Sequence, residues 1–133
     1  MEGSIKDLSK IRLERAEEML ASARKNYDEN DYRTALNRSY YSIFHAMRSV
    51  NCLEGFDSSK HSGVIAFFNK EILKERRIDP SFSDIIKMAS YCREKSDYDD
   101  FYIVSKKETE EQIENAEKFL AAVKAYLVEQ INE

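Results

Sequence analysis

The chain has 133 residues, 42% of them hydrophobic and 35% charged, with a net charge of −4, two cysteines, one proline and three glycines. That length suits a single domain over residues 1–133, and no apolar run approaches the ~18 residues needed to span a membrane. The acidic balance argues against a protein that coats nucleic acid through bulk positive charge, and it leaves room for a local basic site. Met1 to Lys10 carry acidic Glu2 and Asp7 and no apolar stretch, so no targeting segment is read and a cytoplasmic location is expected. Cys52 and Cys92 are too few and too distant for a metal knuckle or a disulfide scaffold, and they read as reduced core thiols.

Gly3, Gly55, Gly63 and Pro80 are the only strong punctuators, and no segment alternates with period two between turn signals, so helices are predicted throughout. In the first, Leu13, Ala16, Leu20, Ala23 and Tyr27 recur at three- and four-residue steps with charges between them. Asn26 to Asp31 breaks it. Asp31 can accept from the free amides that open a second helix, from about Tyr32 to Cys52, which stops before Gly55, a candidate left-handed terminator. Ser58 and Ser59 offer caps for a third helix carrying Ile65, Phe68 and Ile72, whose end at Lys74-Glu75-Arg76-Arg77 suits the helix dipole. Beyond Pro80, Ser81-Phe82-Ser83-Asp84 resembles a capping box for a fourth helix with an inner face of Phe82, Ile85, Ala89 and Cys92. Asp97 to Val104 reads as an acidic, aromatic connector. Ser105-Lys106-Lys107-Glu108 then caps a long last helix, with Thr109, Ile113, Ala116, Leu120, Val123, Leu127 and Ile131 in a near-heptad run that extends toward Glu133. The expected fold is all-α, an up-and-down bundle of about five helices, because short links force neighbours to lie antiparallel.

The second helix departs from the usual pattern of one apolar stripe and one charged face. Leu36, Tyr40, Ile43, Met47 and Val50 form the core stripe, and Arg38, Tyr41, His45 and Arg48 form a second stripe roughly opposite. Arg38 and His45 are one heptad apart, nearly eclipsed and ~10 Å apart along the axis. From Asp31 to Leu53 the chain carries Arg33, Arg38 and Arg48 against Asp31 alone. Such a stripe can seat a phosphate, since arginine offers a planar fork of donors, histidine exchanges protons near neutrality and tyrosine stacks on bases. It can equally be a solvated face, or a partner for Asp97, Asp99 and Asp100. His61, at the start of the third helix, reads as structural or exposed.

The run Ala35-Leu36-Asn37-Arg38-Ser39-Tyr40-Tyr41-Ser42-Ile43-Phe44-His45-Ala46 resembles the signature of the HEPN domain (higher eukaryotes and prokaryotes nucleotide-binding), in the branch with an Asn-Arg-x-Tyr-Tyr-x-x-Phe-His core. Lys60-His61-Ser62-Gly63-Val64-Ile65 and Arg93-Glu94-Lys95-Ser96-Asp97-Tyr98 are similar to two further segments of that branch, in the same order. The resemblance covers nearly the whole chain. It implies a helical bundle that pairs as a homodimer through the second helix, so that two copies of the stripe face one cleft.

It also implies an activity. Many HEPN proteins are metal-independent endoribonucleases that use an Arg and a His separated by four to six residues, a pattern that falls here on Arg38 and His45. The expectation is RNA cleavage by attack of the 2′-hydroxyl on the neighbouring phosphorus. His45 would manage protons and Arg38 the phosphate charge, with Asn37, Tyr41 and Arg48 as supporting or substrate-binding groups and no metal or other cofactor. A toxin role would bring a partner of the minimal nucleotidyltransferase kind. The alternative is a non-catalytic module that uses the cleft for a nucleotide, for RNA or for partner docking. Ser39 stands where many nuclease members have Asn, Asp or His, and Met47 stands where some toxin members carry a modifiable Tyr.

Overall fold

A computed structural model describes residues 4–131; Met1, Glu2 and Gly3 at one end and Asn132 and Glu133 at the other lie outside the described residues. Five α-helices and no strand occur among the described residues: α1 Ile5–Asp28, α2 Tyr32–Asn51, α3 His61–Phe68, α4 Phe82–Tyr98 and α5 Lys106–Ile131. None of them is long and apolar enough to cross a membrane. Local chemistry sets most of the ends. Ser4 and Asp7 form a reciprocal capping box on α1. Asn30, at φ 64°, makes the tight turn into α2, and the Asp31 carboxylate accepts from the Thr34 amide. A short 3₁₀ turn, Cys52–Glu54, continues α2 until Gly55 adopts φ +82°, the left-handed stop its position predicted.

Helix α1 carries Ser9, Ala16 and Ala23 at seven-residue spacing, and α2 carries Ala35, Ser42 and Ser49 at the same spacing; all six are fully buried. Two such rows of small side chains let the backbones approach closely. Hydrogen bonds fix the register, with Ser9 Oγ donating to the Ser49 carbonyl at 2.7 Å and Ser42 Oγ to the Ala16 carbonyl at 2.8 Å. The pairing of 9 with 49 and 16 with 42 makes α1 and α2 antiparallel. Contacts of Lys6 with Ile131, Lys124 with Glu17 and Tyr27 with Glu110 likewise set α5 antiparallel to α1. Arg33 bonds the Ser96 carbonyl and Arg93 lies over the Tyr40 ring, so α4 runs antiparallel to α2. The four long helices therefore run up, down, up and down, and α3 is the short extra element.

Helix α2 lies at the centre and packs against each of the other four helices. The core stripe read from the sequence, Leu36, Tyr40, Ile43, Met47 and Val50, is buried throughout. Partner side chains come chiefly from α5, where Ala116, Phe119, Leu120, Val123 and Leu127 are buried, and from Val64, Phe68, Ile72 and Ile86. Cys52 and Cys92 are buried free thiols.

Several local expectations are corrected. Neither Ser58 nor Ser59 caps α3: Ser58 Oγ accepts from the Lys60 amide, one residue before the helix, and Lys60 opens the helix with no side-chain cap. The third helix is not uniform. After Phe68 it widens into a π-turn, Asn69–Leu73, which is followed by Arg76 at φ 58°. Ser81 does not cap α4; Asp79 accepts from the Ser81 amide instead. Asp97 and Tyr98 belong to α4 rather than to the connector. Ile86 is buried in α4 while Phe82 and Ile85 are only half-buried, so the inner face is rotated from the expected one, and Phe82 meets Phe119 in a T-shaped contact. At α5 the Ser105 hydroxyl accepts from the Glu108 amide at 3.0 Å, and the Glu108 carboxylate turns away to accept from Tyr102 and Cys92.

Candidate functional site

From Asn37 to Asn51 every α2 side chain is buried except Asn37, Arg38, Tyr41, His45 and Arg48. At ~100° per residue these five cover a sector of about 100°, bordered on one side by the small-residue seam with α1 and on the other by Phe44 beneath α3. The structure thus places all five residues singled out in the sequence on one open strip of an otherwise enclosed helix. Arg38 Nη1 donates to Asn37 Oδ1 at 2.7 Å, and no ion pair to Arg38 forms among the described residues. Asp97 and Asp99 pair with Arg93 and Lys95, one turn away on their own helix, so they do not neutralise the strip.

Two aromatic rings of α2 lie beside His45. The Phe44 centroid lies 5.6 Å away and that of Tyr41 6.1 Å away. The His45 Nδ1 atom is buried and has no hydrogen-bond partner. Burial first, then the positive charges of Arg15, Arg48 and Arg12 and the neighbouring His61, push the imidazole down to about 4. At neutral pH it is uncharged.

Sequence reasoning missed two of those arginines. Arg12 and Arg15 stand on α1, thirty residues before His45, and reach it only through the register of the seam: with Ala16 opposite Ser42, Arg12 falls opposite Ala46, beside His45. The signal existed in the matched heptads of small residues. Asp57, also missed, joins this group from the loop before α3. Its carboxylate pairs with Arg12, at 2.8 Å to Nη1 and 3.0 Å to Nη2, and with Arg48 at 3.0 Å. Hydrogen bonds from Arg12 and then Arg48 hold the Asp57 carboxyl down at about 2.

His61 is packed and hydrogen-bonded within the bundle. It stacks on Phe44 with centroids 4.4 Å apart, and its Nδ1 shares a 2.7 Å hydrogen bond with the Tyr40 hydroxyl. Arg93 lies 4.7 Å from the centre of the Tyr40 ring. Burial and then Arg93 lower the His61 pKa. The sequence segments around Arg38, His61 and Arg93 therefore meet at one place, joined through Tyr40 and Phe44.

A helical bundle that displays an arginine and a neutral histidine along the one open strip of its central helix defines a class of small α-helical domain. Residues 9–126 match the HEPN domain family, and the chain belongs to that family. It is similar to two proteins of Methanocaldococcus jannaschii that carry the name "Putative toxin". One is 31% identical over 123 residues, covering 92% of this chain and 83% of the relative. The other is 33% identical over 121 residues, covering 88% and 87%. A UPF0332 protein of Thermotoga maritima is 29% identical over 109 residues, covering 82% of this chain and 83% of that protein.

Proposed function

We propose that this HEPN domain is a metal-independent endoribonuclease acting as a toxin, with Arg38 and His45 as its catalytic residues. The observation that carries the reading is the strip itself: a helix enclosed almost everywhere leaves open the stripe that bears both groups. RNA carries its own nucleophile, so the protein has only to align the 2′-hydroxyl with the adjacent phosphorus and handle protons and charge. Neutral His45 takes the 2′-hydroxyl proton as the O2′–P bond forms and the P–O5′ bond breaks. Returned to O5′, that proton leaves a 2′,3′-cyclic phosphate and a 5′-hydroxyl. Arg38, held by Asn37, donates to the phosphate oxygens as negative charge builds on them. Tyr41 offers a face for a base, and Arg48 adds positive charge beside the imidazole.

The proposal includes a homodimer that apposes two α2 strips, which doubles the arginines and histidines in one cleft. The toxin name of the relatives supports an antitoxin partner, for which a minimal nucleotidyltransferase is the proposal. A non-catalytic nucleotide- or RNA-binding role is the second reading, and Ser39 favours it: its hydroxyl is buried and donates to the Ala35 carbonyl at 3.0 Å, so it is not turned toward Arg38. RNA incubated with purified protein in excess chelator decides between them. Cleavage that ends in cyclic phosphate and disappears in Arg38→Ala and His45→Ala supports the ribonuclease; equal cleavage by those variants refutes it. Retarded but intact RNA selects the binding module.

A further inference from the structure

Beside His45, toward α1, lies an arrangement of which the catalytic proposal uses only Arg48. Arg12 and Arg48 come from different helices and grip the same carboxylate, Asp57. The two arginine side chains are well covered, at 13% and 19% exposure, whereas Asp57 is 50% exposed. The cations are therefore fixed in the wall and the anion is the loose member. The loop backbone is held apart from that carboxylate, by the stack of Phe56 on Phe67 at 4.3 Å and by the Ser58 hydroxyl accepting from Lys60. Turning the Asp57 side chain outward disturbs neither.

One carboxylate also leaves the group incompletely satisfied. Arg12 Nη1 is within ion-pair distance of Asp57 yet lacks a hydrogen bond of good geometry, and Arg48 Nε and His45 Nδ1 have no partner; all three atoms are buried. Two arginines with unfilled donors, Arg12 Nη1 and Arg48 Nε, on a two-oxygen anion are suited to an anion with more oxygens. Arginine forks match phosphate as well as they match carboxylate. Exposed ion pairs are individually weak, so exchange of one anion for another is cheap.

We propose that Arg12 and Arg48 form a second phosphate site next to His45, whose resting occupant is the Asp57 carboxylate, and that an RNA phosphate flanking the scissile one displaces it. The identity of that phosphate rests on the ribonuclease reading; the anion site itself does not. Asp57 then acts as a gate. It keeps the site closed to weak anions and opens it to a strand that binds simultaneously at Arg38.

Two titrations test this, both at neutral pH, low salt and excess chelator, with circular dichroism confirming that each variant is folded. Inorganic phosphate is titrated calorimetrically into wild type, Asp57→Asn and Arg12→Gln. Asp57→Asn, freed of two competing ion pairs, is expected to bind about fivefold more tightly than wild type, and Arg12→Gln to lose the binding. In parallel, a 2′-O-methyl RNA oligonucleotide, which lacks the nucleophile and stays intact, is titrated by fluorescence anisotropy; the same ranking is expected, with the salt slope of Arg12→Gln reduced by about 0.7. Phosphate affinity that is unchanged or weaker in Asp57→Asn, or that survives in Arg12→Gln, overturns the site whatever the RNA result. The expected phosphate ranking without any RNA binding upholds the anion site and removes the ribonuclease reading instead.

Discussion

The seam between α1 and α2 is the feature on which both the fold and the site depend, and Ser42→Leu tests it. Ser42 and Ala16 are wholly buried and meet through the 2.8 Å hydrogen bond from Ser42 Oγ to the Ala16 carbonyl. A leucine there has no room unless the helices separate. Overpacking a tight core contact costs about 1–3 kcal/mol, and losing a buried hydrogen bond adds about 1 kcal/mol, so a total near 3 kcal/mol is expected. For a chain of 133 residues that corresponds to a melting point lower by about 10 °C. Ser42→Ala removes the hydrogen bond without adding bulk and should cost only about 1 kcal/mol. Urea unfolding followed by circular dichroism measures both. Moving α1 also draws Arg12 and Arg15 away from His45, so Ser42→Leu should bind phosphate less tightly although every charged residue is intact. A Ser42→Leu protein within about 0.5 kcal/mol of wild type would show that the register is set elsewhere, since surface changes alone fall in that range.

Other predictions follow from individual groups. With its folded pKa near 4, His45 stays neutral until well below its ordinary value, so kcat/KM for RNA should hold level from pH 7 down to about 5 and fall only near pH 4; an acid limb near 6.5 contradicts the assignment. The same depression makes stability pH-dependent: it is fully present above about pH 6.5 and declines as pH falls toward 4, because the unfolded chain takes up a proton that the folded imidazole refuses. His45→Gln should flatten that part of the stability curve measured by urea melts. Asp31→Ala removes the α2 cap and should cost about 1 kcal/mol in the same assay. Arg76 holds a left-handed φ of 58°, so Arg76→Gly should be neutral or stabilising by up to about 1 kcal/mol, against the usual cost of inserting glycine.

Helix existence was legible because each helix carries a periodic apolar face, and the core stripe of α2 was legible residue by residue for the same reason. The failures cluster where a cap or a bend depends on partners distant in sequence. Ser58 and Ser81 have the right chemistry for capping, yet Pro80 and Asp79 shape the chain into a turn that satisfies the Ser81 amide first, and Ser58 is taken by a turn of its own. The π-turn at Asn69–Leu73 has no composition that announces it. Of the candidate site, the half carried by α2 could be read from one helix. The other half, Arg12, Arg15 and Asp57, required knowing which residue of α1 meets which residue of α2.

That register also resolves the difficulty posed by an acidic protein with a proposed phosphate-directed function. The net charge is −4, but it is not spread evenly, because α1 divides its charges by face. Glu17 pairs with Lys124, and Glu117 of α5 pairs with Arg24, on the side away from the strip. Arg12 and Arg15 point the other way. The small-residue seam brings the two backbones close enough for these long side chains to reach across its edge to His45, which larger side chains at Ala16 or Ser42 would prevent. Asp57 is the one acid in this group, and it leaves the cluster of Arg12, Arg15, Arg38 and Arg48 with a surplus of positive charge. A second copy facing the same strip would double that surplus, so the proposed dimer should bring its strips together more readily as salt rises or when phosphate is present. Sedimentation of the protein across a salt series, with and without phosphate, measures this. Dissociation on adding salt or phosphate would place the paired surface elsewhere on the molecule.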